Sequence, residues 1–231
     1  MSSGRGDSAD SVIIVSGGLD SVTLLHHLVK AESRRPAILT FVYGQKHARE
    51  VDCARYQATL LGCAPHLVLD LGVLQPLLAR SALVSAEISI PDSQDVQGDP
   101  QPATYVPNRN LIFLALAAAW AETLGVAEIY YGAQRHDLYG YWDTTPAFLE
   151  QVNRVFQLNR RIPIRIQAPF IQVGKADLLR RGLTLGVDYA HTWSCYAGGE
   201  MACGRCPTCA ERLAAFAEVG MTDPLGYERG A

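Results

Sequence analysis

Residues 12–21 of the chain read Val-Ile-Ile-Val-Ser-Gly-Gly-Leu-Asp-Ser, and the fold class can be worked out from them. The apolar run at 12–15 predicts a buried β-strand, and the apolar residues spaced along 22–29 predict a helix. Between the two, Gly17 and Gly18 let the backbone turn sharply and approach a ligand closely. The free N–H groups and the dipole of a helix start favour an anion. This strand, loop and helix therefore predict a phosphate site.

The side chains of the loop favour the same ligand. Ser16 and Ser21 supply hydroxyl donors, and Asp20 can hold a magnesium ion on the phosphates. No Gly-Lys-Ser/Thr follows, which excludes the P-loop of nucleoside triphosphatases, and the lack of Gly-x-Gly-x-x-Gly argues against a dinucleotide fold. The competing interpretation is an ordinary Gly-Gly turn in which Asp20 is an acidic residue of the first helical turn.

Short apolar runs alternate with amphipathic segments along most of the chain. Further strands are predicted at 37–42, 66–70, 128–132 and 164–168. Helices are predicted at 47–61, 110–124, 175–181 and 208–219, and another begins with Thr145 as N-cap and Pro146 in its first turn. Gly62, Gly125 and Gly182 are expected to end three of these helices. The alternation predicts an α/β fold with a doubly wound, mainly parallel, five-stranded sheet, whose ligands bind beyond the carboxyl ends of the strands.

The order of these segments suggests three regions. Residues 1–10 have no apolar centre and are expected to form a disordered tail rather than a signal peptide. Residues 11–190 are expected to form the nucleotide-binding domain, and 191–231 a small helical region that contains a cysteine cluster. The polar segment 85–104 is long for a loop, which is typical of a lid, a binding loop or a disordered stretch.

Composition limits the class of partner. The chain has 231 residues, of which 48% are hydrophobic and 19% charged, and this excludes a disordered or fibrous protein. The net charge of −3 is too near neutral to predict binding to nucleic acid or to a membrane surface. The longest apolar run, residues 111–121, is shorter than the ~20 residues that span a bilayer. We therefore expect a soluble cytoplasmic protein without nucleic-acid or membrane partners.

Four cysteines lie within fifteen residues, at Cys195, Cys203, Cys206 and Cys209. The two-residue gaps between the last three cysteines are typical of a short loop that binds a metal ion. Four thiolates without a histidine favour a closed, structural zinc site. An iron–sulfur cluster is the competitor, since it also takes cysteine thiolates. Free structural cysteines are the remaining alternative.

Other polar residues follow the predicted strands or the long loop. Arg109 can form a bidentate contact with phosphate or carboxylate oxygens. Lys175 is the first residue of a predicted helix, where its cation can contact phosphate. Either side chain can instead be solvated. The segment 43–47 follows the second strand, and its His47 either transfers protons or caps a helix. Asp137 follows the fourth strand and can line a pocket for a planar ligand.

Four motifs, in this order, resemble a single family. They are Ser-Gly-Gly-x-Asp-Ser at 16–21, Tyr-Val-Pro-Asn-Arg-Asn at 105–110, Gly-Lys-Ala-Asp at 174–177, and Thr-Trp-Ser-Cys-Tyr at 192–196 with Cys-Gly-Arg-Cys-x-x-Cys at 203–209. The first resembles the pyrophosphate loop of the ATP pyrophosphatase (PP-loop) superfamily. Together they resemble the 7-cyano-7-deazaguanine synthase family of queuosine biosynthesis, over residues 12–225.

The resemblance implies a reaction. ATP adenylates the carboxylate of 7-carboxy-7-deazaguanine, ammonia displaces AMP to give an amide, and a second ATP activates the amide oxygen so that a nitrile forms. It also implies a homodimer, Mg²⁺ with the nucleotide, and structural Zn²⁺ on the four cysteines. The pyrophosphate is expected on Ser16, Gly17, Gly18, Leu19, Asp20 and Ser21, with Asp20, Arg109 and Lys175 as catalytic residues. The substrate is expected on Gln45, His47, Arg109, Arg135 and Asp137.

One stretch departs from the family pattern. Where the family usually has Asp-Tyr-Ser-Gly-Tyr-Pro-Asp-Cys-Arg-Pro, residues 137–146 read Asp-Leu-Tyr-Gly-Tyr-Trp-Asp-Thr-Thr-Pro. Trp142 replaces a proline, and Thr144 and Thr145 replace Cys-Arg, so a bidentate carboxylate partner is lost unless Arg135 supplies it. Three alternatives stay open: a paralogue that stops at the amide or adenylates another carboxylate, a tRNA-thiolating enzyme with an iron–sulfur cluster, and a non-catalytic, zinc-dependent regulatory protein.

Overall fold

The computed structural model describes residues 8–46, 49–96, 98–99, 101–135 and 141–228. Its centre is a five-stranded sheet in the spatial order β3-β2-β1-β4-β5, in which every neighbouring pair is parallel. The strands are β1 Ser11–Ile14, β2 Pro36–Val42, β3 His66–Asp70, β4 Glu128–Tyr130 and β5 Arg165–Gln167. The doubly wound α/β fold expected from the sequence is confirmed.

Seven α-helices in the described residues surround the sheet. They are α1 Leu19–His26, α2 Arg49–Leu60, α3 Gln75–Leu78, α4 Arg109–Leu124, α5 Pro146–Phe156, α6 Lys175–Thr184 and α7 Pro207–Glu218. Gly125 ends α4 in the left-handed conformation, and the Thr145 hydroxyl caps α5 by accepting the Phe148 N–H, both as predicted. None of these helices has the length and apolarity that crossing a bilayer requires.

The predicted end of α6 at Gly182 is wrong. The helix continues to Thr184, and Gly182 is buried within it. A Cβ atom on Gly182 would stand 1.8 Å from the Tyr189 hydroxyl oxygen. This glycine therefore makes room for a tyrosine packed against the helix, and it does not end the helix.

Alternate residues of β1 point to opposite layers. Val12 belongs to a core shared with α4 and α5, whereas Ile13 belongs to a core shared with α1, α2, α6 and α7. Both residues have no solvent exposure. The continuous apolar run of β1 is therefore explained by helices on both faces of the sheet.

The strand order reverses beside β1, because the chain continues on one side to β2 and β3 and returns on the other side as β4. The loops that follow β1 and β4 consequently diverge and leave a crevice at the carboxyl edge. β4 is shorter than predicted: its ladder stops at Tyr130, and Gly132 packs against the start of α1, where its Cβ would lie 3.1 Å from the Ser21 Cα.

Candidate active site

A cavity of about 240 Å³ lies in this crevice. It is bounded by the loop after β1, by the segments after β2 and β4, and by the first turns of α2, α4, α6 and α7. The residues predicted from the sequence that line it are Ser16, Gly18, Leu19, Asp20, Ser21, Gln45, Arg109 and Lys175. The folded chain thus brings together residues that are up to about 160 positions apart in the sequence.

The loop at 16–21 is held in shape by its own hydroxyl groups. Ser16 Oγ accepts the Gly18 N–H at 3.2 Å, and Ser21 Oγ accepts the Ser16 N–H and donates to the Gly18 carbonyl, each at 3.2 Å. Gly17 has a φ of +97°, and a Cβ there would lie 2.0 Å from the Glu50 carbonyl oxygen. Only glycine fits this position, because both the backbone conformation and the contact with α2 exclude a side chain.

Asp20 and Lys175 form an ion pair in the cavity wall. Lys175 Nζ lies 2.7 Å from Asp20 Oδ2 and 3.6 Å from Glu211 Oε2. Among the described residues, the buried Asp20 Oδ1 has no hydrogen-bond partner. A carboxylate oxygen in this condition fits the oxygen ligand that Mg²⁺ takes beside bound phosphates.

Arg109 begins α4 on the far side of the cavity, directly after Asn108, which has a left-handed φ of +54°. Its Nη1 donates to the Tyr43 hydroxyl at 3.5 Å. Glu50, in the first turn of α2, lines the same cavity and interacts electrostatically with Arg109. Burial raises the pKa of Glu50 to about 8, although Arg109 acts in the opposite direction. The cavity therefore contains a carboxyl that exchanges its proton near neutral pH.

Glu50 and Glu211 also line the cavity, although neither was predicted from the sequence as a site residue. Each is a polar residue in a predicted helix, and its place in the cavity wall depends on parts of the chain that are distant in sequence. One signal was available for Glu50, since it follows the second strand in the segment that also holds Gln45 and therefore had to lie at the carboxyl edge.

The remaining substrate candidates have different surroundings. Gln45 is buried: its Oε1 accepts the Tyr43 N–H at 2.8 Å, and its Nε2 donates to the Phe41 carbonyl at 3.1 Å. Arg135 is exposed and is not among the described residues that line the cavity. His47 and Asp137 lie outside the described residues.

The segment that departs from the family pattern reaches the cavity. Tyr141 and Thr144 line it. Trp142 is 45% exposed, and its Nε1 donates to the Tyr105 hydroxyl at 2.8 Å. Thr145 is used as the N-cap of α5. Of the two threonines, only Thr144 lines the cavity, so these positions supply a hydroxyl there and no guanidinium.

The four predicted cysteines converge next to this cavity. Their Sγ atoms all lie within 4.8 Å of one another, and all four residues are buried free cysteines. Cys195 Sγ accepts the Cys203 N–H at 3.3 Å, and Cys203 Sγ accepts the Cys206 N–H at 3.4 Å. Tetrahedral zinc thiolates have sulfur atoms ~3.8 Å apart. The cluster therefore fits one tetrahedral metal ion.

Two contacts join the cysteine cluster to the cavity. The Trp193 backbone N–H donates to the Gly17 carbonyl at 3.0 Å, and the Trp193 indole packs among the cysteines. Thr208, in the first turn of α7, donates to the Ser194 carbonyl at 2.7 Å and lines the cavity. The cysteine cluster and the residues beside it thus support both the phosphate loop and one wall of the site.

The sheet order and the Ser-Gly-Gly-x-Asp-Ser loop at the carboxyl end of β1 define a nucleotide-binding α/β protein of the PP-loop class. Residues 10–220 match the model of the family described as queuosine biosynthesis protein QueC, and the chain belongs to this family.

Relatives of known name agree with this family. The chain is 44% identical over 221 residues to a 7-cyano-7-deazaguanine synthase of Marinobacter nauticus, with 95% of this chain and 98% of the relative covered. It is also 44% identical to the synthase of that name from Chromohalobacter salexigens, with 96% and 87% covered. The solved structure of NMN synthetase from Francisella tularensis has a TM-score of 0.53 at 12% identity, covering 93% of this chain and 79% of that one, and it supports the fold alone.

Proposed function

We propose that this protein is a 7-cyano-7-deazaguanine synthase, an ATP-dependent carbon–nitrogen ligase that converts 7-carboxy-7-deazaguanine and ammonia to the nitrile. One observation carries the proposal: a single cavity is lined by the phosphate loop, Arg109 and Lys175, in a chain 44% identical to synthases of that name over nearly its full length. The active site would then catalyse two adenylations at the same functional group, first on a carboxylate oxygen and then on the amide oxygen.

In the first step a carboxylate oxygen of the substrate attacks the α-phosphorus of ATP, and pyrophosphate leaves. The N–H groups of loop 16–21 would hold the β- and γ-phosphates at the start of α1. Mg²⁺ on Asp20 would supply positive charge to these phosphates, and the unpartnered Asp20 Oδ1 supports its place there. Lys175 would stabilise negative charge that develops at phosphorus, and Arg109 would orient the carboxylate.

In the second step the ammonia nitrogen bonds to the acyl carbon, and AMP leaves with the electron pair of the C–O bond. The amide oxygen then attacks the α-phosphorus of a second ATP, and pyrophosphate leaves. Loss of AMP and of both N–H protons gives the nitrile. Adenylation makes a poor leaving group into a good one, so no covalent enzyme intermediate is needed. Consistent with this, none of the described residues that line the cavity is a cysteine or a histidine.

We propose Zn²⁺ as the ion of the cysteine cluster, with a structural role, because four thiolates would close its coordination shell. We also propose residues 11–190 as the catalytic domain and 191–231 as the zinc-binding region. A cytoplasmic homodimer that binds neither nucleic acid nor membranes remains our expectation. Zinc analysis of the purified protein, together with its visible absorption, separates zinc from an iron–sulfur cluster.

The experiment that tests the proposed function is mass spectrometry of the product formed from 7-carboxy-7-deazaguanine, ATP and ammonium. We expect the nitrile, with one ATP converted to AMP for each adenylation. A second candidate, an enzyme that stops at the amide or adenylates a different carboxylate, is favoured by the threonines at 144 and 145. Recovery of the amide without nitrile, or no reaction with this carboxylate, would support that candidate.

A further inference from the structure

Glu50 occupies a position in the cavity that the proposed reaction has not yet used. It lies in the first turn of α2, and its Oε1 is 3.9 Å from the position that a Cβ on Gly18 would take. Its carboxyl therefore lies beside the phosphate loop. Arg109 interacts with it electrostatically from α4. A substrate carboxylate bound between the loop and Arg109 would have its carbon near this carboxyl.

The groups that face Glu50 come from three elements. They are Arg109 from α4, Tyr43 from the segment after β2, and Cys53 one turn along α2. Burial outweighs the attraction of Arg109, so the pKa of Glu50 rises to about 8. A general base works best when its pKa lies near the operating pH, because it is then both available and basic.

Addition of ammonia requires such a base. When the nitrogen bonds to the acyl carbon and the C–O bond to AMP breaks, one N–H proton must leave to give the neutral amide. Asp20 and Glu211 are the other carboxylates among the described residues that line the cavity, and both face the Lys175 ammonium, at 2.7 Å and 3.6 Å. These two carboxylates are therefore occupied by their ion pairs with Lys175.

We propose that Glu50 is the general base of the ammonia-addition step: its carboxylate accepts the proton that leaves nitrogen as AMP departs. This inference rests on the proposed function. In balance, the adenylate, ammonia and the Glu50 carboxylate give the amide, AMP and the protonated Glu50, which then loses its proton to water.

The test measures the two half-reactions separately in Glu50→Gln. Adenylation is followed as exchange of labelled pyrophosphate into ATP that depends on the carboxylate, and amide formation is followed by product mass at saturating ammonium. We expect amide formation to fall about 100-fold or more, whereas exchange stays close to wild type. Glutamine has the size of glutamic acid and no charge, so it replaces the protonated form without disturbing the packing.

Asp52→Asn is the matched control, since it removes a carboxylate from the same helix at a side chain that is 76% exposed. It should leave both half-reactions at wild-type rates. If exchange and amide formation fall together in Glu50→Gln, the residue is structural and the proposal is wrong. If neither falls, the proposal is equally wrong. If wild type shows no exchange, the proposed function fails and this inference fails with it.

A pH profile supplies a second readout that does not depend on the glutamine variant. Hydroxylamine replaces ammonium, and the profile is measured above pH ~7, where hydroxylamine is uncharged and its ionisation does not add to the profile. The wild-type rate should rise with pH and level off above about 8. In Glu50→Asp the rate should still rise with pH, at a lower overall rate. In Glu50→Gln the rate should no longer rise with pH. A wild-type profile without this rise would overturn the proposal even if Glu50→Gln did not fold.

Discussion

The two carboxylate oxygens of Asp20 have different surroundings. Oδ2 is paired with the Lys175 ammonium at 2.7 Å, whereas Oδ1 is buried and has no hydrogen-bond partner among the described residues. A buried acceptor without a partner costs about 1–3 kcal/mol. In the proposed function, Oδ1 gains a partner when the magnesium nucleotide binds, which removes this cost. Asp20 therefore contributes more to nucleotide binding than to the stability of the fold.

We therefore expect Asp20→Asn to lower turnover about 100-fold or more while the melting temperature changes by only a few degrees. Pyrophosphate release and thermal unfolding measure the two quantities. Glu150→Gln, which neutralises an exposed carboxylate on α5, is the control and should leave both unchanged. A near-wild-type rate in Asp20→Asn would mean that the phosphate loop does not act as proposed.

Glu50 predicts a pH dependence of stability. Its pKa rises from the ordinary 4.5 to about 8 on folding, so between these values the native state binds more protons than the unfolded state. The contribution of this group to stability is therefore full below pH 4.5 and is lost as the pH rises through about 8. Glu50→Gln should be more stable than wild type at alkaline pH, and the difference should shrink on acidification. A difference in melting temperature between Glu50→Gln and wild type that stays the same at every pH would contradict this prediction.

At the scale of single residues, the motifs predicted the loop residues and the cysteines, because the spacing of the residues within each motif is typical of one kind of ligand site. Glu50 was not predicted, because its burial is produced by a loop and a helix from other parts of the chain. Arg135 was expected near the substrate; its side chain is exposed and is not among the described residues that line the cavity, so its contact with substrate stays a prediction.

At the scale of elements, α6 shows how tertiary packing overrides a local signal. Gly182 lies within the helix because Tyr189 packs against it. The Tyr189 hydroxyl is held there by a hydrogen bond with Thr23 Oγ1 at 2.8 Å. The sequence around Gly182 contains a helix-ending residue but no information about the tyrosine that needs the space. The strands were predicted more closely: β3 has the predicted bounds, and β4 is shorter because its last predicted residues turn into the cavity wall.

Gly182→Ala should consequently lower the free energy of unfolding by about 1–3 kcal/mol, although alanine favours a helix by ~1 kcal/mol over glycine. The cost comes from the collision with the Tyr189 hydroxyl. Urea denaturation measures it, with Thr184→Ala on the exposed face of the same helix as a control expected to change stability little. A more stable Gly182→Ala variant would mean that the tyrosine moves aside freely.

The first turn of α7 connects two of the four clustered cysteines to the cavity. Cys206 and Cys209 flank Thr208, which lines the cavity. Farther along the helix, Arg212 forms a buried bidentate ion pair with Asp223, with contacts of 2.6 and 2.9 Å. The ion pair anchors the helix body, whereas the cysteines anchor its start. Loss of the metal should therefore loosen the wall of the cavity as well as lower stability.

We expect Cys206→Ser to lose the bound metal and to lower the melting temperature on the order of 10 °C, because the binding free energy of a structural metal is folding free energy. Metal analysis and thermal unfolding are the measurements. Cys63→Ser, outside the cluster, is the control and should retain the metal. A Cys206→Ser protein with full metal content and an unchanged melting temperature would show that these thiols do not hold an ion.

At the scale of the whole molecule, a parallel sheet covered on both faces fixes where chemistry can occur. The loops after β1 and β4 diverge at the reversal of strand order, and α2, α4, α6 and α7 close the crevice between them. Nucleotide at the loop and substrate at Arg109 would then meet over the end of β1. The alternation of strands and helices made this location predictable, but the shape of the cavity depends on packing that no local pattern encodes.

The central claim is that an oxygen of the substrate leaves on the α-phosphate of ATP. It is tested most directly with 7-carboxy-7-deazaguanine labelled with ¹⁸O in its carboxylate, incubated with ATP and ammonium. We predict that the AMP from both adenylations carries the label and that the nitrile contains no oxygen from the carboxylate. Unlabelled AMP, with ¹⁸O found in water or in inorganic phosphate, would contradict the claim.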